Sequence, residues 1–255
     1  MKVGTSNKMK VSYFINLENR QDRRDEFTVY SSGLAFPVER IKAIDSRELT
    51  TVNYSVPTPI AACWESHQKV AKIFLSTDAD HCFVFEDDVR MGSNFTEEIN
   101  KLWSSKLNGI DLLQIGYCIH SNSLSNRFSY SWQQFSVRLF AASRMLEKKR
   151  VQAHLVKKYG YSFQKLPAIN KLVAVNTFEL GTHAYIISRK FAEFIVHFNN
   201  PVYLPADLAM MEMSRIEKFK SYRLLNNLLQ QSDSPSSISN ASNSPLERIL
   251  RNLGI

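Results

Sequence analysis

The stretch 81-HCFVFEDDVRMG-92 runs from four apolar residues, Cys82 to Phe85, straight into three consecutive acids, Glu86, Asp87 and Asp88. A short apolar run with polar flanks reads as a buried strand, and the acids then stand at its C-terminal end. Adjacent carboxylates repel one another. A strand ending this way needs positive charge close by, from basic side chains or from a cation.

The flanking sequence supplies a context. Residues 10-KVSYFINL-17 read as a buried first strand that leads into the polar, basic turn 18-ENRQDRRDEF-27. Residues 36-FPVERIKAID-45 read as a second strand, and Pro57 and Pro59 mark a loop after it. In 61-AACWESHQKVAKIFLST-77, Ala62, Val70, Ile73 and Phe74 share one helical face. Beyond the acids, 94-NFTEEINKLW-103 reads as a helix capped by Ser93 or Asn94, with Glu97 and Glu98 in its first turn. Residues 111-DLLQIGY-117 read as another strand. Strands alternating with helices are the rhythm of an α/β domain with a largely parallel sheet. In such sheets ligands bind at the C-terminal ends of the strands, which is where both the acids and the basic turn lie.

The second half is less regular. Residues 119–170 show no clear period, although 137–161 is helix-like and strongly basic. Residues 173–188 read as two strands or a strand and a loop, 189–198 as a helix, and 201–219 as a further segment. The stretch 232-SDSPSSISNASNSP-245 is rich in Ser and Asn. The expected organisation is one domain over 1–231 with a variable insert at 119–172, followed by a tail and short helix at 232–255.

Composition narrows the classes. The chain has 255 residues, enough for a large core. It has no apolar run of the roughly 18–20 residues that span a bilayer and no apolar signal core near its start, so a cytoplasmic location is expected. Cys63, Cys82 and Cys118 make neither a disulfide framework nor a zinc pattern and read as small buried hydrophobes. A net charge of +8 favours anionic partners, whether nucleic acid, anionic lipid or phosphorylated small molecules. No helix-turn-helix, zinc or aromatic RNA-platform signature accompanies that charge, so nucleic acid is not the expected partner.

Each candidate residue has two readings. Glu86 and Asp88, bracketing Asp87, suit a hard divalent cation that takes oxygen ligands and completes its shell from phosphates; a solvated acidic turn is the alternative. Arg20, Arg23 and Arg24 suit a phosphate at a strand end, or a solvated basic turn. His67 sits on a helix, where a lone histidine is more often structural than catalytic. His183, in 181-GTHAY-185, follows a glycine that permits close approach and can contact metal or phosphate.

In order along the chain, the motifs resemble glycosyltransferase family 25, the lipopolysaccharide-type galactosyltransferases related to the collagen galactosyltransferases. The similar segments are 13-YFINLENRQDRRDEF-27, 39-ERIKAID-45, 61-AACWESHQKVAK-72, 84-VFEDDV-89, 180-LGTHAYIISRKFAEFIV-196, 205-PAD-207 and 235-PSSI-238. Ala62 stands where the family prefers glycine, and residues 119–172 match none of its motifs. The resemblance implies a GT-A-type, Rossmann-like, mostly parallel central sheet flanked by helices. It implies inverting transfer of a sugar, typically galactose, from a UDP-sugar to a glycan acceptor such as lipopolysaccharide, with Mn²⁺ or Mg²⁺. Carried over, Glu86, Asp88 and His183 become metal contacts. Asn16, Arg20, Arg23, His67, Asp87 and Ser237 fall on the nucleotide side, as does Glu86 in addition to its metal role. Asp207 or Glu179 becomes the general base, with Glu212 as a further alternative.

Residues 137–158 alternate basic and apolar side chains and suit an anionic membrane surface near a lipid-linked acceptor; an ordinary packed helix with a solvated basic face is the alternative. A different nucleotide-using transferase such as a nucleotidyltransferase, a basic nucleic-acid-binding protein and a catalytically inactive relative of the transferases are the rival functions.

Overall fold

The computed structural model describes residues 9–49, 56–117, 173–175, 181–214, 216, 218–224 and 228–231. The basic segment 137–158, the insert at 119–172 and the tail at 232–255 lie outside the described residues, as do Glu179 and Ser237.

The first half contains β1 (Lys10–Asn16), α1 (Gln21–Ser31), β2 (Glu39–Lys42), α2 (Thr58–Leu75), β3 (His81–Glu86), β4 (Val89–Met91), α3 (Phe95–Ser104) and β5 (Leu112–Gly116). The second contains β6 (Val173–Val175), β7 (Ala184–Ser188), α4 (Arg189–His197), α5 (Ala206–Ser214), β8 (Ser221–Leu224) and β9 (Leu229–Gln231). Among the described residues, seven strands form one sheet in the order β2-β1-β3-β7-β5-β8-β6, and β4 pairs separately with β9. β1 is parallel to both β2 and β3, and β5 to β8; β7 and β6 run antiparallel to their neighbours. Five of the seven strands therefore point one way, the mostly parallel Rossmann-like arrangement expected.

β1 has β2 on one side and β3 on the other, so the chain changes direction across the sheet at β1. Such a switch point opens a crevice at the carboxyl ends of the flanking strands. The acids after Phe85 stand at that crevice.

Strand alternation builds the two faces. Tyr13, Ile15, Cys82, Val84, Tyr185 and Ile187 point into one core, closed by Trp64 and Phe74 of α2, Phe191 and Ile195 of α4, and Met210 of α5. Phe14, Phe83, Phe85, Ala184 and Ile186 point into the other, closed by Phe27 of α1 and by Phe95 and Ile99 of α3. Each fully buried aromatic contributes about 1.5–3 kcal/mol, so helices on both faces are needed to cover this sheet. Among the described residues, no helix is long and apolar enough to cross a membrane.

Several local expectations change. The basic turn at 18–27 is mostly helix: α1 starts at Gln21. Its apolar stripe is almost absent from the sequence, and it is held by Phe27, whose ring stacks on Phe14 at 4.3 Å between centroids. Tertiary packing rather than amphipathic pattern makes this helix. Pro59 belongs to the first turn of α2, not to a loop, because a proline there lacks only an N–H that would be unpaired anyway. Asn94 occupies the N-cap position of α3 but forms no side-chain cap hydrogen bond. In 201–219 the helix is confined to Ala206–Ser214.

Candidate functional site

A cavity of about 490 Å³ opens over the carboxyl ends of β1, β2 and β3. Its walls come from Arg23 of α1, the segment 43–47 after β2, the first turns of α2, the acids 86–88, residues 181–183 before β7, and Asp207 at the start of α5. Of the sequence candidates, Arg23, His67, Glu86, Asp87, Asp88, His183 and Asp207 line this one space. They come from five separate parts of the chain, and the sheet brings them together.

The three acids serve different partners. Asp87 turns away from Glu86 toward Asn16 and Arg23: the Asn16 amide donates to its Oδ2 at 2.6 Å and Arg23 Nη1 to its Oδ1 at 3.0 Å. Burial nonetheless raises the Asp87 carboxyl above the ordinary range, against those two donors. Asn16 accepts in turn from Arg40 Nε at 2.8 Å and donates to the Arg20 carbonyl at 3.0 Å. It therefore braces the site from behind the cavity wall. Arg20 is not among the lining residues; its guanidinium pairs with Asp22 at 2.7 Å.

Glu86 is the most heavily bonded. Its Oε1 accepts from Thr182 Oγ1 and lies 3.2 Å from His67 Nε2, while Oε2 lies 3.2 Å from His183 Nδ1. Burial alone would raise this carboxyl, but the hydrogen bonds from His183 and His67 outweigh it and hold Glu86 well below the usual carboxylate range. Behind His67, its Nδ1 meets the hydroxyl of the fully buried Tyr185 at 2.8 Å. The Tyr185 hydroxyl can donate to Nδ1 in the tautomer whose Nε2–H faces Glu86, or accept from Nδ1–H in the other tautomer, which leaves Nε2 free to bind a cation.

Asp88 is the opposite case. Its Oδ2 lies 3.6 Å from Arg23 Nη1 and its Oδ1 3.7 Å from His183 Nδ1, both beyond hydrogen-bond length. Oδ1 is buried and has no hydrogen-bond partner among the described residues. Burial first, and the charge of Glu86 second, push its carboxyl up to about 6. Ligand atoms of Glu86, Asp88 and His183 all lie within 4.8 Å of one another. Two carboxylates and an imidazole, one carboxylate oxygen being buried and unpaired, fit a hard divalent cation.

Asp207 faces the same cavity from the first turn of α5. Its Oδ1 accepts the Leu208 N–H at 2.8 Å. Burial raises its carboxyl, against hydrogen bonds from the Leu208 and Gly181 amides, while Glu86 adds to the rise. Glu212, farther along α5, is not among the lining residues.

Sequence reasoning assigned no site role to Thr182, Tyr185, Cys63 or the segment 43–47, all of which build or line this space. The segment 43–47 was findable, since it follows β2 as the acids follow β3. Within it, the hydrogen bond from Arg47 lowers Asp45 to about 2. Ser66 Oγ accepts the Ile44 N–H at 2.9 Å and ties this segment to α2.

Comparison with curated proteins gives no match. Among solved structures, the crystal structure of A197 from STIV is similar at 13% identity over 89% of this chain and 96% of that chain, with a TM-score of 0.38; a likeness this loose carries no argument. The family comparison is decisive: residues 9–210 match the model of glycosyltransferase family 25 (LPS biosynthesis protein), and the chain belongs to that family.

Proposed function

We propose that this glycosyltransferase transfers a sugar, galactose as the leading case, from a UDP-sugar to a glycan acceptor of the lipopolysaccharide type, with inversion and with Mn²⁺ or Mg²⁺. The observation that carries this reading is the buried, unpaired Oδ1 of Asp88 on the cavity wall beside His183 and Glu86. Asp88, Glu86 and His183 would hold the cation, with Asp88 the direct ligand because its Oδ1 has no hydrogen-bond partner among the described residues. Bound there, the cation offsets charge growing on the departing diphosphate. His67, Thr182 and Tyr185 keep Glu86 ionised and fixed in place. Arg23 balances Asp87 and borders the nucleotide side.

An inverting transfer needs one base on the acceptor side. Asp207 takes that role among Asp207, Glu179 and Glu212. It lines the cavity, and its raised carboxyl is a better proton acceptor than an ordinary aspartate when ionised. A peripheral membrane position through 137–158, at the inner face of a membrane carrying lipid-linked acceptor, completes the proposal.

The experiment is release of UDP from a panel of UDP-sugars with Mn²⁺, with the anomeric configuration of the product read by NMR. UDP-galactose should turn over fastest and give the inverted product. Asp207→Asn should retain UDP binding and lose about 10²–10⁴-fold in turnover. A retained product, or full turnover in Asp207→Asn, would remove this mechanism.

A further inference from the structure

We infer that Cys63, His67 and Glu86 form a second cation site, one suited to a thiophilic dication such as Zn²⁺. Cys63 and His67 are four residues apart on α2, a spacing that puts both on one helical face. The Cys63 sulfur, an imidazole nitrogen of His67 and a carboxylate oxygen of Glu86 all lie within 4.8 Å of one another. Cys63 is half-buried and lines the cavity; burial, and then the nearby carboxylates of Glu86, Asp207, Asp88 and Asp87, push its thiol well up, so the cation itself must displace the proton. A thiolate, an imidazole and a carboxylate are zinc ligands, and three of them leave the fourth tetrahedral position open to water. The neighbouring set of two carboxylates and one imidazole holds no sulfur and suits a harder ion.

The balance of the binding step is simple. The Cys63 S–H bond breaks, its proton goes to solvent, and a metal–sulfur bond forms. His67 binds the cation through Nε2 in the tautomer whose Nδ1–H donates to the Tyr185 oxygen, 2.8 Å away. That outer hydrogen bond is the kind that orients metal-bound histidines. Glu86 presents Oε1 toward His67 and Oε2 toward His183. One carboxylate thus serves both sites, and two dications sharing it repel each other. Filling the sulfur-bearing site therefore weakens hard-cation binding next to it. This antagonism rests on the reading of Glu86 as a hard-cation ligand; the sulfur site itself does not.

The test is titration of the metal-free protein with Co²⁺, followed by near-ultraviolet absorbance. A thiolate-to-cobalt charge-transfer band is expected in the wild type. In Cys63→Ser the band should vanish and Co²⁺ affinity should fall more than about tenfold. Because that variant can fail to fold, alkylation of Cys63 in the wild type, mapped by mass spectrometry, gives an independent reading. Zn²⁺ should slow it and Mg²⁺ should not. Absence of the band, its persistence in folded Cys63→Ser, or Cys63 alkylation at equal rates with and without Zn²⁺ would overturn the assignment. Failure of UDP-dependent hard-cation binding with the cobalt band intact would count against the transferase metal site alone.

Discussion

At the end of β3 the three carboxylates are distributed over separate donors: Asp87 to Asn16 and Arg23, Glu86 to Thr182 and two histidines, and Asp88 to none within hydrogen-bond reach. Asp87 and Glu86 thus have direct donors, whereas Arg23 and His183 reach Asp88 only as charges at 3.6 and 3.7 Å. Two outcomes follow for stability. Arg23 is buried beside Asp87 and Asp88, and removing one partner of a buried pair strands the other charge. Arg23→Met should lose about 3–5 kcal/mol in urea unfolding. For Asp88 the sign is reversed. Its folded pKa is raised to about 6 from an ordinary 3.8, so the folded state holds a proton that the unfolded state releases, and stability falls as pH rises between those values. Asp88→Asn removes the cost. It should gain about 3 kcal/mol at pH 8 and little near pH 4, as measured by urea melts at the two pH values. Equal gains at both pH values would show that the burial cost of the charge is not the cause.

At the scale of elements, the loop before β7 matters most. Gly181 has φ +94°, a region that other residues enter only at a cost of about 1–3 kcal/mol. Its carbonyl accepts from the buried Gln114 Nε2 at 2.8 Å, and its N–H donates to Asp207. Gly181→Ala should lower thermal stability by that amount and, by moving Thr182 and His183, should also weaken cation binding. A variant with wild-type Mn²⁺ affinity would show that the loop conformation does not position the site. Sequence reasoning found this loop from the glycine before Thr182 and His183, and found β1, β2, β3, β5 and α2 from their apolar patterns. It missed α1, whose single buried aromatic, Phe27, gives no period and depends on Phe14 from another strand. It also missed the pairing of β4 with β9, because strands of three residues separated by over a hundred positions carry no local signal. The same reason hid Tyr185, whose hydroxyl looks like any strand tyrosine until the fold sets it 2.8 Å from His67.

For the whole molecule, the switch in strand order at β1 is what turns scattered motifs into one cavity. Arg23, His67, Glu86, Asp88, His183 and Asp207 were legible as residue types, but their convergence needed the sheet. The central claim is a nucleotide site that depends on a cation at Asp88. A ligand that binds only the folded chain must raise its melting temperature, by roughly 5–10 °C at a hundredfold excess over Kd. The direct measurement is the melting temperature of the wild type and of Asp88→Asn with UDP, each with and without Mn²⁺. A rise of that size in the wild type only when both are present, and its loss in Asp88→Asn, is the expected result. No shift with UDP and Mn²⁺ together, or the same shift without metal and in the variant, would contradict a cation-dependent donor site at the end of β3.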